Sequence, residues 1–288
     1  MSDDPKDPRQ RPSTSPLDAE GREGVEEVGV WLRDTLGRRE GGFYHLGHST
    51  VRPDEWQEPE ALLDESHRED FRLVAEGLGA QSGAGGGGLV ILVGDDLEGG
   101  RGRCYLAFQV GRLLAESGRR VLLVDGEFEQ EGCGDWLGEP GREGLLDLAR
   151  YGASLRSASQ ALRVRGMDLL GVGSFRPEER QPLAEDELQT AFGKLRSGYD
   201  FVLVTAPART ADGTYNPLFR HADGVLMGLS LRGGRRDHFE RLAEHLLGEG
   251  VPIHGVMAFA GSQPPEAAAP VATAASGGWE PAKAMTPW

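Results

Sequence analysis

Cysteine is scarce. The chain has two, Cys104 and Cys133, and no Cys-x-x-Cys spacing. Such a count builds no disulfide framework, so free thiols in a reducing compartment are expected. Long apolar runs are missing too: none approaches the ~20 residues needed to cross a bilayer. The opening stretch MSDDPKDPRQRPSTSPLDAE holds no hydrophobic segment of the secretory kind. Neither end carries a basic amphipathic helix that would lie on a membrane. Positive charge is in deficit, with 31 Lys and Arg against 46 Asp and Glu, a formal net charge of −15. That balance opposes nucleic-acid and anionic-lipid binding, so neither nucleic acid nor the membrane itself is an expected partner. The expected location is the cytoplasm, membrane-peripheral only through another protein. The seven histidines are scattered. His45 and His48 stand beside Tyr44 without a third ligand, and no metal site is expected.

Hydrophobic residues make up 38% of the 288, few for a globular chain, which suggests polar ends around an ordinary domain. Residues 1–24 are rich in Pro, Asp, Arg and Ser, and residues 263–288 in Pro and Ala. Both read as disordered tails. Residues 25–80 read as a helical extension, with helical spacing over 25–40 and again over 60–79, the latter closing at Gly77 or Gly79. From 81 to 262 the pattern changes. Short apolar runs at 89–94, 121–125, 167–171, 200–205, 224–229 and 253–259 alternate with helical spacing at 103–117, 143–150, 155–163, 184–197, 214–221 and 235–248. Uninterrupted runs of Val, Leu, Ile and Met suit strands covered on both faces. The alternation predicts an α/β fold, a three-layer, doubly wound, mostly parallel sheet.

The first strand leads into EGGRGRC, residues 98–104. Gly99, Gly100 and Gly102 allow backbone N–H groups to approach an anion, and the helix that follows turns its positive end toward it. Arg103 stands where a phosphate-binding loop carries lysine, and Cys104 where it carries Ser or Thr. A guanidinium fork is bulkier and more rigid than an ammonium. A thiol is a poor ligand for Mg²⁺, which prefers hard oxygen. Arg103 reads either as an anion holder or as a solvated side chain. Asp125 reads either as a vestigial catalytic aspartate or as an ordinary polar residue at a strand end. Cys104 has no histidine at a spacing that would make it a nucleophile.

EGGRGRC resembles the loop KGGxGK[ST] of the ParA/MinD superfamily of P-loop ATPases, and the helix, strand and Asp125-Gly-Glu127 that follow resemble that superfamily's switch segment. Within it, LRSGYDFVLVTAPA and HADGVLMGLSLRGGRRDHFERLAEHLLGEGVPIHGVMAF are similar to segments of the bacterial tyrosine kinases of capsule and exopolysaccharide synthesis, the CpsD/CapB type. The resemblance spans about residues 65–260. It implies a P-loop NTPase-like fold, with Gly99, Gly100, Gly102, Arg103, Cys104 and Asp125 as the vestige of a nucleotide or anion site. The departures concern chemistry. The signature lysine is Glu98, the loop lysine Arg103, the Mg²⁺-binding hydroxyl Cys104, the Walker B aspartate Thr205, and the asparagine near adenine Phe259. Of the family's Glu-x-x-Arg-x-x-Arg ring-packing motif, Glu69 and Arg72 match and Ala75 replaces the last arginine. The family's terminal tyrosine cluster has no counterpart, the five tyrosines being Tyr44, Tyr105, Tyr151, Tyr199 and Tyr215.

These departures lead to the expectation of a non-catalytic pseudokinase that binds no cofactor and acts as a regulatory or scaffolding partner. Its expected partner is a membrane polysaccharide-export protein, a catalytic paralogue or a second copy of itself. The alternative is a divergent kinase or ATPase that uses ATP and Mg²⁺ through Arg103, Asp125 and Glu127.

Overall fold

The structure is a computed structural model. It describes residues 45–49, 65–81, 88–94, 101–128, 132–138, 143–173, 183–209, 215–230 and 236–259. The expected tails, the helical spacing at 25–40, and Glu98, Gly99 and Gly100 lie outside the described residues.

The apolar runs form strands β2 (Gly88–Val93), β3 (Val121–Asp125), β5 (Met167–Leu170), β6 (Phe201–Thr205), β7 (Gly224–Ser230) and β8 (Ile253–Phe259). Two further strands come from segments without an apolar run, β1 (His45–Ser49) and β4 (Ser159–Ala161). β1 lies inside the stretch expected to be a helical extension. The eight strands form one sheet, ordered β1-β8-β7-β2-β6-β3-β5-β4. Among these strands every pairing is parallel except β4 with β5. β1 pairs in register with β8 from His45 opposite Gly255 to Ser49 opposite Phe259, so it extends the main sheet.

Helices cover both faces, which is why the central strands are apolar on both sides. On one face lie α1 (Glu65–Gln81) and α2 (Arg101–Glu116). Phe71, Val74 and Leu78 of α1 and Leu106, Phe108 and Val110 of α2 pack on Val90, Leu92, Leu123, Leu203 and Phe259. On the other lie α4 (Leu145–Arg150), α6 (Glu185–Gly198) and α7 (Arg236–Gly248). There Leu146, Phe192, Leu195 and Leu246 pack on Leu89, Ile91, Val93, Val124 and Val204. The alternation along β2 shows the division: Leu89, Ile91 and Val93 face one layer, Val90 and Leu92 the other. Each fully buried aliphatic side chain contributes about 1.5–3 kcal/mol relative to exposure. The short α3 (Cys133–Trp136) and α5 (Leu155–Ala158), with a 3₁₀ turn at Pro217–His221, fill the connections. The helical spacing of 155–163 breaks after Ala158, where the backbone leaves to pair as β4. α1 runs through Gly77 and Gly79 to Gln81, beyond both of the expected closing glycines.

Candidate functional site

Parallel strands with crossover helices create a natural site at their carboxyl ends. Here β2 ends at Val93, β3 at Asp125 and β6 at Thr205, and α2 begins at Arg101. Pairing of β6 with both β2 and β3 brings Thr205 opposite Asp125 and next to Leu92. The expected residues Gly102, Arg103, Cys104 and Asp125 therefore do converge. The polar side chains among them, however, are engaged by Glu127, by Cys133 and by the backbone.

Arg103 is buried, at 6% exposure, which excludes the solvated reading. Its guanidinium forms an ion pair with Glu127 and donates to the Gly94 carbonyl at 3.2 Å. Asp125 is buried as well. Its Oδ1 accepts from the Glu127 N–H and its Oδ2 from the Gly134 N–H, each at 3.0 Å. Burial pushes its pKa up to about 6, against the pull of those two N–H donors and of Arg103. Gly132 makes the close approach possible: a Cβ there would stand 2.1 Å from Asp125 Oδ1. The carboxylate thus anchors the turn into α3.

The hydroxyl of Thr205, at the position where the resemblance places an aspartate, reaches the Val124 carbonyl and the Cys133 Sγ, both at 3.4 Å. Cys133 is fully buried, and its thiol is pushed well above its ordinary pKa by burial and then by its interaction with Cys104. Cys104 and Cys133 lie 29 positions apart in sequence, and nothing in their spacing announced that they meet. Gly132 and Cys133 were likewise not evident as site residues. The segment around them, without an apolar run, carried no periodic signal.

A magnesium ion needs several hard oxygens free to coordinate. Among the described residues, this rim offers two thiols, a hydroxyl already engaged, a carboxylate holding two backbone N–H groups and a carboxylate paired to arginine. As arranged, these groups do not fit Mg²⁺. No group of three or more His, Cys, Asp or Glu side chains among the described residues could hold a metal. No helix among them is long and apolar enough to cross a membrane.

No protein-family model matches the chain. Its sequence is 26% identical over 172 residues to the Ralstonia solanacearum protein named tyrosine-protein kinase EpsB, covering 60% of this chain and 23% of that protein. The chain thus spans about a quarter of that relative's length. Among solved structures, the kinase domain of Escherichia coli tyrosine kinase ETK superposes with a TM-score of 0.60 at 17% identity, covering 93% of this chain and 100% of that domain. The chimerical protein CapA2B2 superposes with a TM-score of 0.58 at 16% identity, covering 80% and 97%. The chain's sequence relatives are bacterial tyrosine kinases, and its fold is the P-loop NTPase-like fold of their kinase domains.

Proposed function

We propose that this chain is a non-catalytic relative of the bacterial tyrosine kinases and serves as a regulatory or scaffolding partner, either in surface-polysaccharide assembly and export or in positioning of the ParA/MinD kind. One observation carries the reading. The cation that should meet the phosphates, Arg103, is instead consumed in a buried pair with Glu127. Phosphoryl transfer depends on preorganised positive charge and metal at the transferring group, and loss of one such donor costs roughly 10²–10³ in rate. Several losses in one cluster are not additive, but little turnover survives them.

The acceptor side supports the same reading at Tyr105 and Tyr199 and leaves Tyr151 accessible. Among the described residues, Tyr105 is buried and Tyr199 donates its hydroxyl to Asp168 at 2.7 Å, whereas Tyr151 is 67% exposed. The ring-packing vestige is also occupied locally. Arg72 pairs with Glu69 at 2.6 Å and with Glu76 on its own helix. The partner is then a membrane polysaccharide-export protein, a catalytic paralogue or a second copy.

Calorimetry with ATP, with and without Mg²⁺, together with a phosphotyrosine immunoblot of the purified chain, tests the proposal. No Mg²⁺-dependent affinity and no phosphotyrosine are expected. Micromolar, Mg²⁺-dependent ATP binding, or self-phosphorylation, would instead establish the divergent enzyme built on Arg103, Asp125 and Glu127.

A further inference from the structure

A concentration of positive charge lies at the opposite end of the sheet from Arg103. A cleft of about 740 Å³ opens there between the last turns of α2, the turn into β3 and the loop before β5. Arg112, Arg119, Arg120, Arg163 and Arg165 line it, with Glu116 as the one carboxylate in its wall among the described residues. Phe108, Ala115 and Val164 supply apolar surface between them. In a chain with 46 acidic and 31 basic residues, this clustering runs against the overall composition.

Internal pairing reaches only part of it. Glu116 is shared between Arg112, at 3.1 Å, and Arg68 of α1. Asp200 takes the Arg120 guanidinium at 3.1 Å and the Arg120 N–H at 2.8 Å. These bonds, with the nearby charge of Arg119, hold its carboxyl below the usual range. Arg165 has no carboxylate partner among the described residues. Mutual repulsion of guanidinium groups in one concavity raises the local potential and favours an anion there.

Both walls are fixed to the sheet. The Arg120 carbonyl accepts from the Asp200 and Phe201 N–H groups at 2.8 and 3.1 Å, and the Gly166 carbonyl accepts from the Val121 N–H at 2.9 Å. Gly118 and Gly166, with φ of +89° and +86°, make the turns that aim the flanking arginines. A backbone held this way needs little ordering when a ligand arrives, and the cost that is left is the rotamer freedom of the exposed arginine stems.

We propose that this cleft binds an oligophosphate anion, a di- or triphosphate either free or carried by a nucleoside, without Mg²⁺. Guanidinium forks match phosphate oxygens two at a time. The cleft's volume falls within the ~300–1,000 Å³ of small-molecule sites, and its concavity suits a compact ligand better than a membrane or protein surface. The cleft shares no residue with the strand-end site, so the proposal stands apart from the non-catalytic reading.

The test is calorimetry on the full chain in EDTA with sodium tripolyphosphate, ATP and adenosine, and hydrogen exchange to locate the bound ligand. Two double variants accompany it: Arg119→Glu with Arg165→Glu, and the milder Arg119→Gln with Arg165→Gln. Both positions are exposed and lie beside tight turns. Tripolyphosphate and ATP are expected to bind, adenosine not, with exchange slowed at 116–120 and 163–166. Affinity should drop about tenfold or more for each guanidinium–phosphate bond removed. ATP binding more tightly than tripolyphosphate identifies a nucleoside-borne ligand, and equal affinities a free oligophosphate. The proposal is overturned by absence of binding, by affinities unchanged in both double variants, or by slowed exchange confined to 94–104. Binding of phosphatidylserine vesicles or polyglutamate in place of tripolyphosphate overturns it equally.

Discussion

Replacing Arg103 by methionine removes one half of a buried ion pair and takes from Glu127 its guanidinium partner. The side chains of Arg103 and Glu127 are 8% and 4% exposed, so water cannot take over from the missing partner. Breaking such a pair costs about 3–5 kcal/mol, whereas exchanging both members for apolar groups of similar size is near neutral or better. The bond to the Gly94 carbonyl at 3.2 Å disappears as well, a further contribution of about 0.5–1.5 kcal/mol. Arg103→Met should therefore destabilise by about 3.5–6.5 kcal/mol and Glu127→Leu by about 3–5 kcal/mol, and the double variant by no more than about 1–2 kcal/mol. For a domain of this size, ~3 kcal/mol corresponds to a melting point roughly 6–12 °C lower. Urea titration followed by circular dichroism gives the three values, and their cycle gives the coupling. If Arg103→Met cost less than about 1 kcal/mol and the double variant were no better than the sum of the singles, the pair would not be holding the loop. Arg103 would then be free for a phosphate, and the strand-end rim would keep the cation that phosphoryl transfer needs.

Three further outcomes follow from the same rim. The folded pKa of Asp125, about 6, lies above the ordinary value of 3.8, so the native state holds the proton more tightly. Its contribution to stability is greatest below the unfolded pKa and is lost as pH rises through about 6, on the order of 2–3 kcal/mol. Between about pH 4 and pH 7, urea midpoints should therefore shift in favour of Asp125→Asn over the native chain, and a constant difference would contradict the buried carboxyl. Gly132→Ala drives a methyl to 2.1 Å from Asp125 Oδ1 and should unfold the turn into α3, with a loss of several kcal/mol read by the same titration; a neutral result would mean the turn lies elsewhere. Cys104 and Cys133 are both buried, so Ellman's reagent should find almost no thiol in the native protein and two after denaturation. Rapid native reaction would show the rim to be open.

Much of the fold was legible in the primary structure because strands and helices announce themselves locally. Val121–Asp125 and Ile253–Phe259 are mainly apolar runs between turn residues, and their boundaries need nothing distant to fix them. β1 and β4 carried no such signal, since HLGHS and SQA owe their strand state to the neighbours they pair with. The loop's departures, Arg103 and Cys104 among them, were likewise readable one position at a time. What those side chains do was decided in three dimensions. Strand order places β6 between β2 and β3, which brings Thr205 beside Asp125. The chain leaving β3 then folds back through Gly132, so Cys133 meets Thr205, while Glu127 captures Arg103. The same crossovers gather arginines from α2, from the turn into β3 and from the loop before β5 into one cleft. Periodicity records which face of an element is buried; partners separated by tens of residues are chosen by topology, and only the folded chain contains that information.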